Sequence, residues 1–175
     1  MTPATFDPLA ALRVLTDAEV AFVVIGGYAA EILGAPVMTN DLDICYERSR
    51  GNLERLAEAL RQLGAKLRVA KVDEDLPFIL DAQTLANGDS FTFVTDLGSL
   101  DVLATPSGTS GYRDLSSRAA LYELPDGLQV RVVDLGDLMR MKRASGRAKD
   151  RIHLEVLAAV QDMVDQAEEP PGHPG

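Results

Sequence analysis

Residues 21–25 (AFVVI) form a short, wholly apolar run that stops at Gly26-Gly27. A run of this length closed by glycines reads as a strand buried on both faces and ended by a turn. Residues 41–46 (DLDICY) alternate polar and apolar side chains, which is the period of a half-buried strand. A fully buried strand needs neighbours on both edges and cover on both faces. The chain must therefore build a sheet packed against helices.

The flanking segments supply that cover. Residues 7–18 read as a helix, with Leu9, Leu12 and Leu15 at helical spacing. Residues 28–33 look helical and stop near Gly34-Ala35-Pro36. Residues 52–63 form an amphipathic helix with Leu53, Leu56, Leu60 and Leu63 on one face, and Gly64 is placed to end it. A strand is expected at 66–69, with the rest of 65–90 a polar loop or edge strand. Residues 91–95 and 99–103 read as strands joined by a turn at 96–98, followed by a loop at 105–111 (TPSGTSG). Residues 118–123 and 128–133 flank Pro125-Asp126-Gly127, a hairpin signal. Asp134 is placed to cap a helix through Ala144, and 149–166 is the last helix. The ending EEPPGHPG is too rich in proline and glycine to pack, so 167–175 is expected to be a disordered tail. The resulting class is α/β (α+β): a mixed sheet flanked by helices, with further helices at the C-terminal end.

At 175 residues the chain suits one domain, at roughly 150 residues per domain. A single cysteine, Cys45, excludes an intramolecular disulfide and a multi-cysteine zinc site, and two histidines are too few for a histidine-rich metal site. The first ten residues lack a basic, apolar leader pattern. The longest apolar stretch, 20–30, is too short to span a bilayer and is bounded by Glu19 and Glu31. A cytoplasmic protein without a membrane partner is expected. The formal net charge of −10 argues against broad, non-specific nucleic-acid binding but allows a local basic patch.

Asp41 and Asp43 lie two apart on one strand and so share a face. Adjacent carboxylates repel, and water, a basic neighbour or a divalent cation can stabilise them. Asp101, flanked by apolar residues on a strand expected nearby, is a third candidate. Three carboxylates on two neighbouring strands would make a hard-oxygen site suited to Mg²⁺ and to phosphoryl transfer. Gly26-Gly27 precedes a helix about fourteen residues before the pair, where glycines let a phosphate approach the backbone. Any one of these features alone is better explained by an ordinary turn or strand end; together they are far less common by chance.

That combination resembles the nucleotidyltransferase superfamily, with its DNA polymerase β-like fold, and is closest to the AbiEii-type toxins of bacterial toxin–antitoxin systems. The segment from Asp137 to Asp150 (DLMRMKRASGRAKD) resembles the toxin group's helix, in which a lysine precedes a basic turn and an aspartate. The similarity spans residues 21–157. The resemblance implies one transferase domain over 1–166, with Asp41, Asp43 and Asp101 binding two Mg²⁺ ions and Asp101 acting as base toward the acceptor hydroxyl. It implies that Gly26, Gly27 and Thr39 hold nucleotide, that Lys142 and Arg147 contact the triphosphate, and that Asp150 orients the basic groups. Many relatives carry serine where Gly27 stands and arginine where Val37 stands, in the pattern Arg-x-Thr-x-Asp.

Residues 140–151 (RMKRASGRAKDR) hold Arg140, Lys142, Arg143, Arg147, Lys149 and Arg151 against Asp150 alone. Such a patch suits a triphosphate or RNA. Lys142 follows Leu138 by four and Leu135 by seven, so it shares their apolar face and either reaches to water or points into a cleft. Arg140, Arg143 and Arg151 are better explained by charge complementarity at helix ends. Cys45 reads as a small buried residue, His153 as structural or solvent-facing, Tyr28 as core, and Ser107, Thr109 and Ser110 as loop residues with no required role.

The expected activity is transfer of a nucleoside monophosphate from an NTP to a hydroxyl, with RNA (a tRNA 3′ end) as acceptor and a cognate antitoxin as possible partner. The alternatives are the same chemistry on an aminoglycoside or lincosamide, and a non-catalytic nucleotide-binding homologue, the latter motivated by Val37.

Overall fold

A computed structural model describes residues 5–68 and 78–168. Helix α1 (Pro8–Asp17) begins where Asp7 accepts a hydrogen bond from the Ala10 amide, with Pro8 at the first helical position. It buries Leu12 and Leu15 completely, each contributing roughly 2 kcal/mol. Strand β1 (Phe22–Ile25) is buried throughout and passes directly into the short helix α2 (Gly26–Ile32). Strand β2 is Asp41–Tyr46, and helix α3 (Arg50–Gln62) is capped by Ser49. Strand β3 is only Lys66–Leu67, shorter than the expected 66–69; residues 69–77 lie outside the described chain.

Helix α4 (Ala82–Asn87), capped by Asp81, occupies part of the stretch expected to be loop or edge strand. Strands β4 (Ser90–Thr95) and β5 (Gly98–Leu103) follow as expected, and then a five-residue helix, α5 (Tyr112–Ser116). Strands β6 (Ala120–Leu124) and β7 (Leu128–Val132) form a hairpin through a 3₁₀ turn, Pro125–Gly127, in which Asp126 and Gly127 have left-handed φ. Helix α6 (Leu135–Ser145) is capped by Asp134, whose carboxylate accepts from the Gly136 and Asp137 amides. Helix α7 (Ala148–Glu168) continues two residues into the stretch read as tail, and 169–175 lie outside the described residues.

Among the described residues the seven strands make one mixed sheet in the order β3-β4-β5-β2-β1-β7-β6. The β2–β5 and β1–β7 pairs are parallel, and the rest are antiparallel. The expected class, a mixed sheet flanked by helices with helices at the C-terminal end, is the one observed. Buried Asn52 fixes α3 against the sheet. Its amide oxygen accepts from the Ala21 N–H at 2.7 Å, and its nitrogen donates to the carbonyls of Ala21 (3.1 Å) and Glu47 (2.7 Å). No described helix is long and apolar enough to cross a membrane.

Candidate active site

The site begins with register. Strand β2 lies between β1 and β5, which sets Asp43 opposite Ile25 on one side and Asp101 on the other. The period of two places Asp41 on the same face as Asp43. Asp43 and Asp101 face each other as side chains. Burial, hydrogen bonding to Asp101 and the charges of Asp101 and Asp41 push the Asp43 carboxyl up to about 7, against an opposing pull from Lys149. Asp101 Oδ1 is buried and has no hydrogen-bond partner among the described residues.

This donor set fits a hard divalent cation: two carboxylates in register, one with an orphaned oxygen, and a third on the same face. Among the described residues, however, no three acidic, histidine or cysteine side chains converge on one point as placed. Asp43 and Asp101 are the joined pair, and Asp41 stands beside them rather than in a closed triad.

The two glycines make room for this strand. Gly26 has φ +71°, and a Cβ on it would overlap the Asp43 carboxylate. A Cβ on Gly27 would lie 3.0 Å from Thr39 Cβ. Thr39 is itself held at both ends. Its N–H donates to Glu31 Oε1 at 2.9 Å, and its Oγ1 accepts from the Asp41 N–H at 3.2 Å. Each glycine thus leaves room for one of the chain's own side chains. The space behind them is filled by the chain's own Asp43 and Thr39.

Across from the sheet, α6 and the start of α7 close a cleft of about 130 Å³. Its walls include Gly26, Asp43, Lys142, Arg147 and Asp150. Five of the residues singled out in the sequence thus meet at one cleft, whereas Gly27, Thr39, Asp41 and Asp101 do not line it.

Lys142 is only 7% exposed. Its Nζ lies 3.5 Å from Asp150 Oδ1 and 3.2 Å from His153 Nδ1. Burial lowers the Lys142 pKa, and the Asp150 charge opposes that. The other Asp150 oxygen accepts from Ser145 Oγ and from Arg147 Nε, the latter at 3.0 Å. Burial would raise the Asp150 pKa, but these hydrogen bonds and the Arg147 and Lys142 charges outweigh it and hold the carboxyl at about 2. Asp150 thus joins Ser145, Arg147 and Lys142.

Arg140 does not belong to the cleft or to a helix end. It joins Arg118, Asp114 and Asp137 in a network that ties α5 to α6, with Arg118 Nε 2.8 Å from Asp137 Oδ2 and Arg140 Nη2 3.0 Å from Asp114 Oδ2. Arg143, Lys149 and Arg151 are exposed, and among the described residues none of them forms an ion pair. Cys45 is fully buried and its thiol is pushed up to about 12 by burial, consistent with a packing role. Tyr28 packs against the core.

Ser107, read as a loop residue with no required role, lines the cleft; His153, read as structural or solvent-facing, and Ser145, which the sequence reading did not single out, sit around Lys142 and Asp150. Two spacings could have signalled them. His153 follows Asp150 by three, and Ser145 follows Lys142 by three, so each shares a helix face with a candidate residue.

No family model and no curated protein matches this sequence. Solved structures do match its fold. The lincosamide antibiotic adenylyltransferase LnuA, solved with lincomycin bound, aligns at TM-score 0.60 and 13% identity, covering 87% of this chain and 95% of that one. A candidate nucleotidyltransferase from Thermotoga maritima aligns at TM-score 0.51 and 14% identity, over 93% and 96%. The antibiotic-resistance factor ANT(2'')-Ia aligns at TM-score 0.50 and 13% identity, over 90% and 84%. The chain has the nucleotidyltransferase fold.

Proposed function

We propose that this chain is a nucleotidyltransferase, its 1–166 segment acting as one unit that moves a nucleoside monophosphate from an NTP to a hydroxyl and releases pyrophosphate. One observation carries the reading: Asp43, paired in register with Asp101, lines a cleft that also presents Lys142 and Arg147, joined by Asp150. Carboxylates and cations at one cleft suit a metal–triphosphate complex. Asp41, Asp43 and Asp101 would hold Mg²⁺. Such a cation, when bound, neutralises phosphate charge and favours the nucleophilic form of the attacking oxygen.

The remaining work belongs to the chain's own groups. Lys142 and Arg147 bind the triphosphate oxygens, and Asp150 keeps both cations turned toward the cleft. Asp101, with its unpartnered Oδ1, accepts the proton of the acceptor hydroxyl. Gly26 and Gly27 bring the backbone of the β1–α2 turn close to the phosphates, and Thr39 braces the Asp41 backbone beside it. Val37 packs against the core, so Lys142 and Arg147 supply the cleft's positive charge.

For the acceptor, the exposed Arg143, Lys149 and Arg151, which adjoin Lys142 and Asp150 in sequence, favour a phosphate-rich partner. The reading is RNA, specifically a tRNA 3′ end, in a toxin-like protein with a cognate antitoxin. A second reading, transfer to a small antibiotic, is favoured by the fold likeness to two antibiotic-resistance proteins. The two separate in one experiment. The protein is incubated with each α-labelled NTP and Mg²⁺, with total tRNA, a lincosamide or an aminoglycoside as acceptor. Label on tRNA that is abolished by prior periodate oxidation of the 3′ end supports the first reading. Label on an antibiotic supports the second. Label on neither, despite nucleotide binding, supports a non-catalytic homologue and contradicts both.

A further inference from the structure

His153 does not line the cleft, yet it makes the shortest polar contact of the most buried cation in it. The Lys142 ammonium has three protons to place and almost no access to water. Asp150 Oδ1 stands 3.5 Å away and has no hydrogen-bond partner among the described residues, while the other Asp150 oxygen is committed to Ser145 and Arg147. His153 Nδ1 stands nearer, at 3.2 Å. It can accept from an ammonium only as a neutral imidazole with its proton on Nε2. The remaining Lys142 protons are then left for the Asp150 charge and the cleft.

We propose that His153 is a positioning residue: its Nδ1 fixes the direction of the Lys142 ammonium, and protonation of the ring releases it. The consequence for nucleotide rests on the transferase reading; the His153–Lys142 coupling does not. The charged groups acting on the ring are Lys142 from α6, and Lys149 and Asp150 from its own helix. Burial and the two lysines favour the neutral ring, and Asp150 opposes them, so the His153 pKa falls below its ordinary value of about 6.5. The contact is therefore intact at neutral pH and is lost as pH falls through the His153 pKa, when an imidazolium would face an ammonium.

The test has two arms on the full chain. In the first, long-range ¹H–¹⁵N correlation spectra follow the two histidines from pH 5 to 8, with His173→Gln assigning the His153 signals. The expected result is an Nε2–H tautomer whose titration midpoint rises when Lys142→Met removes the neighbouring cation. An Nδ1–H tautomer, or a midpoint indifferent to Lys142→Met, overturns the proposal. In the second, a fluorescent ATP analogue is titrated with Mg²⁺ at pH 5.5 and 7.5. His153→Asn keeps an acceptor without titrating, and His153→Leu has none.

Wild-type affinity is expected to fall about fivefold more than that of His153→Asn between the two pH values, the nucleotide's own titration being common to both. His153→Leu is expected to bind about tenfold more weakly than His153→Asn at pH 7.5. Parallel pH profiles for wild type and His153→Asn overturn the role of His153 toward nucleotide. If no variant binds nucleotide at either pH, the transferase reading fails, and the first arm still decides whether His153 governs Lys142.

Discussion

Gly26 and Asp43 share one small volume. The glycine has φ +71°, and a Cβ placed on it would overlap the Asp43 carboxylate, so the turn that ends β1 is shaped around a side chain of β2. Gly26→Ala is expected to cost about 1 kcal/mol in left-handed backbone strain, and more in displacement of Asp43. Gly34→Ala supplies the control. Gly34 also has a left-handed φ, +95°, but nothing lies within 4 Å of its Cβ position. Both variants should lose stability in urea melts, and only Gly26→Ala should lose Mg²⁺-dependent nucleotide binding. Equal binding by both would contradict this arrangement.

The Asp43–Asp101 pair gives the metal-free protein a pH signature. Burial and the neighbouring carboxylates raise the Asp43 pKa from its ordinary value to about 7, so the folded state holds this proton more tightly than the unfolded state. That stabilisation is complete below the ordinary aspartate pKa and is lost as pH rises toward 7. Asp43→Asn should therefore gain stability over wild type between pH 4 and 7 and keep the gain above it, in urea melts with a chelator present. Adding Mg²⁺ at pH 8 should raise the wild-type midpoint and leave that of Asp43→Asn nearly unchanged. Parallel stability profiles would speak against a repelling pair.

Asp150 has the opposite sign. Its carboxyl is held at about 2, so its contribution is present above the ordinary carboxylate pKa and is lost as pH falls through 2. Asp150→Ala leaves the nearly buried Lys142 without its carboxylate and should cost about 3 kcal/mol at pH 7 in chemical denaturation. The penalty should shrink on acidification from pH 4 toward pH 2. Asp150→Asn, which keeps an acceptor for Ser145, should cost less.

The Arg118–Asp137–Arg140–Asp114 network holds α6, and with it Lys142, against α5. Asp137→Ala removes a buried carboxylate shared by both arginines and should destabilise by about 2 kcal/mol. Arg143→Ala, on the exposed side of the same helix, should be neutral within about 0.5 kcal/mol. Thermal melts of the two variants check the contrast. An equal loss would mean that the network does not anchor the helix.

The central strands and their aspartates were legible because period-two alternation and glycine stops are local signals, and β2 is found at 41–46 as expected. The short helices were not. α4 has six residues and buries only Leu85, and α5 has five and buries only Leu115, too little for a helical period to show. The pairing of Asp43 with Asp101 depends on strand register, which no local pattern states. The same is true of Gly26 against Asp43 and Gly27 against Thr39. Lys142 stands out from its helix face, whereas Asp150 stands out only through the resemblance. His153 was set aside as structural because its partner lies on another helix, eleven residues away.

The central claim is that Asp43, backed by its partner Asp101, and Lys142 act together at one cleft in nucleotidyl transfer. Its most direct test follows pyrophosphate release together with transfer of the α-label from NTP to acceptor. Wild type is compared with Asp43→Asn, Asp101→Asn and Lys142→Met, each with Mg²⁺ and with a chelator, after confirming that each variant is folded. The account expects both signals from wild type with Mg²⁺ only, and a loss of about 10²-fold or more in every variant. Transfer that survives in folded Asp43→Asn or Asp101→Asn would contradict it.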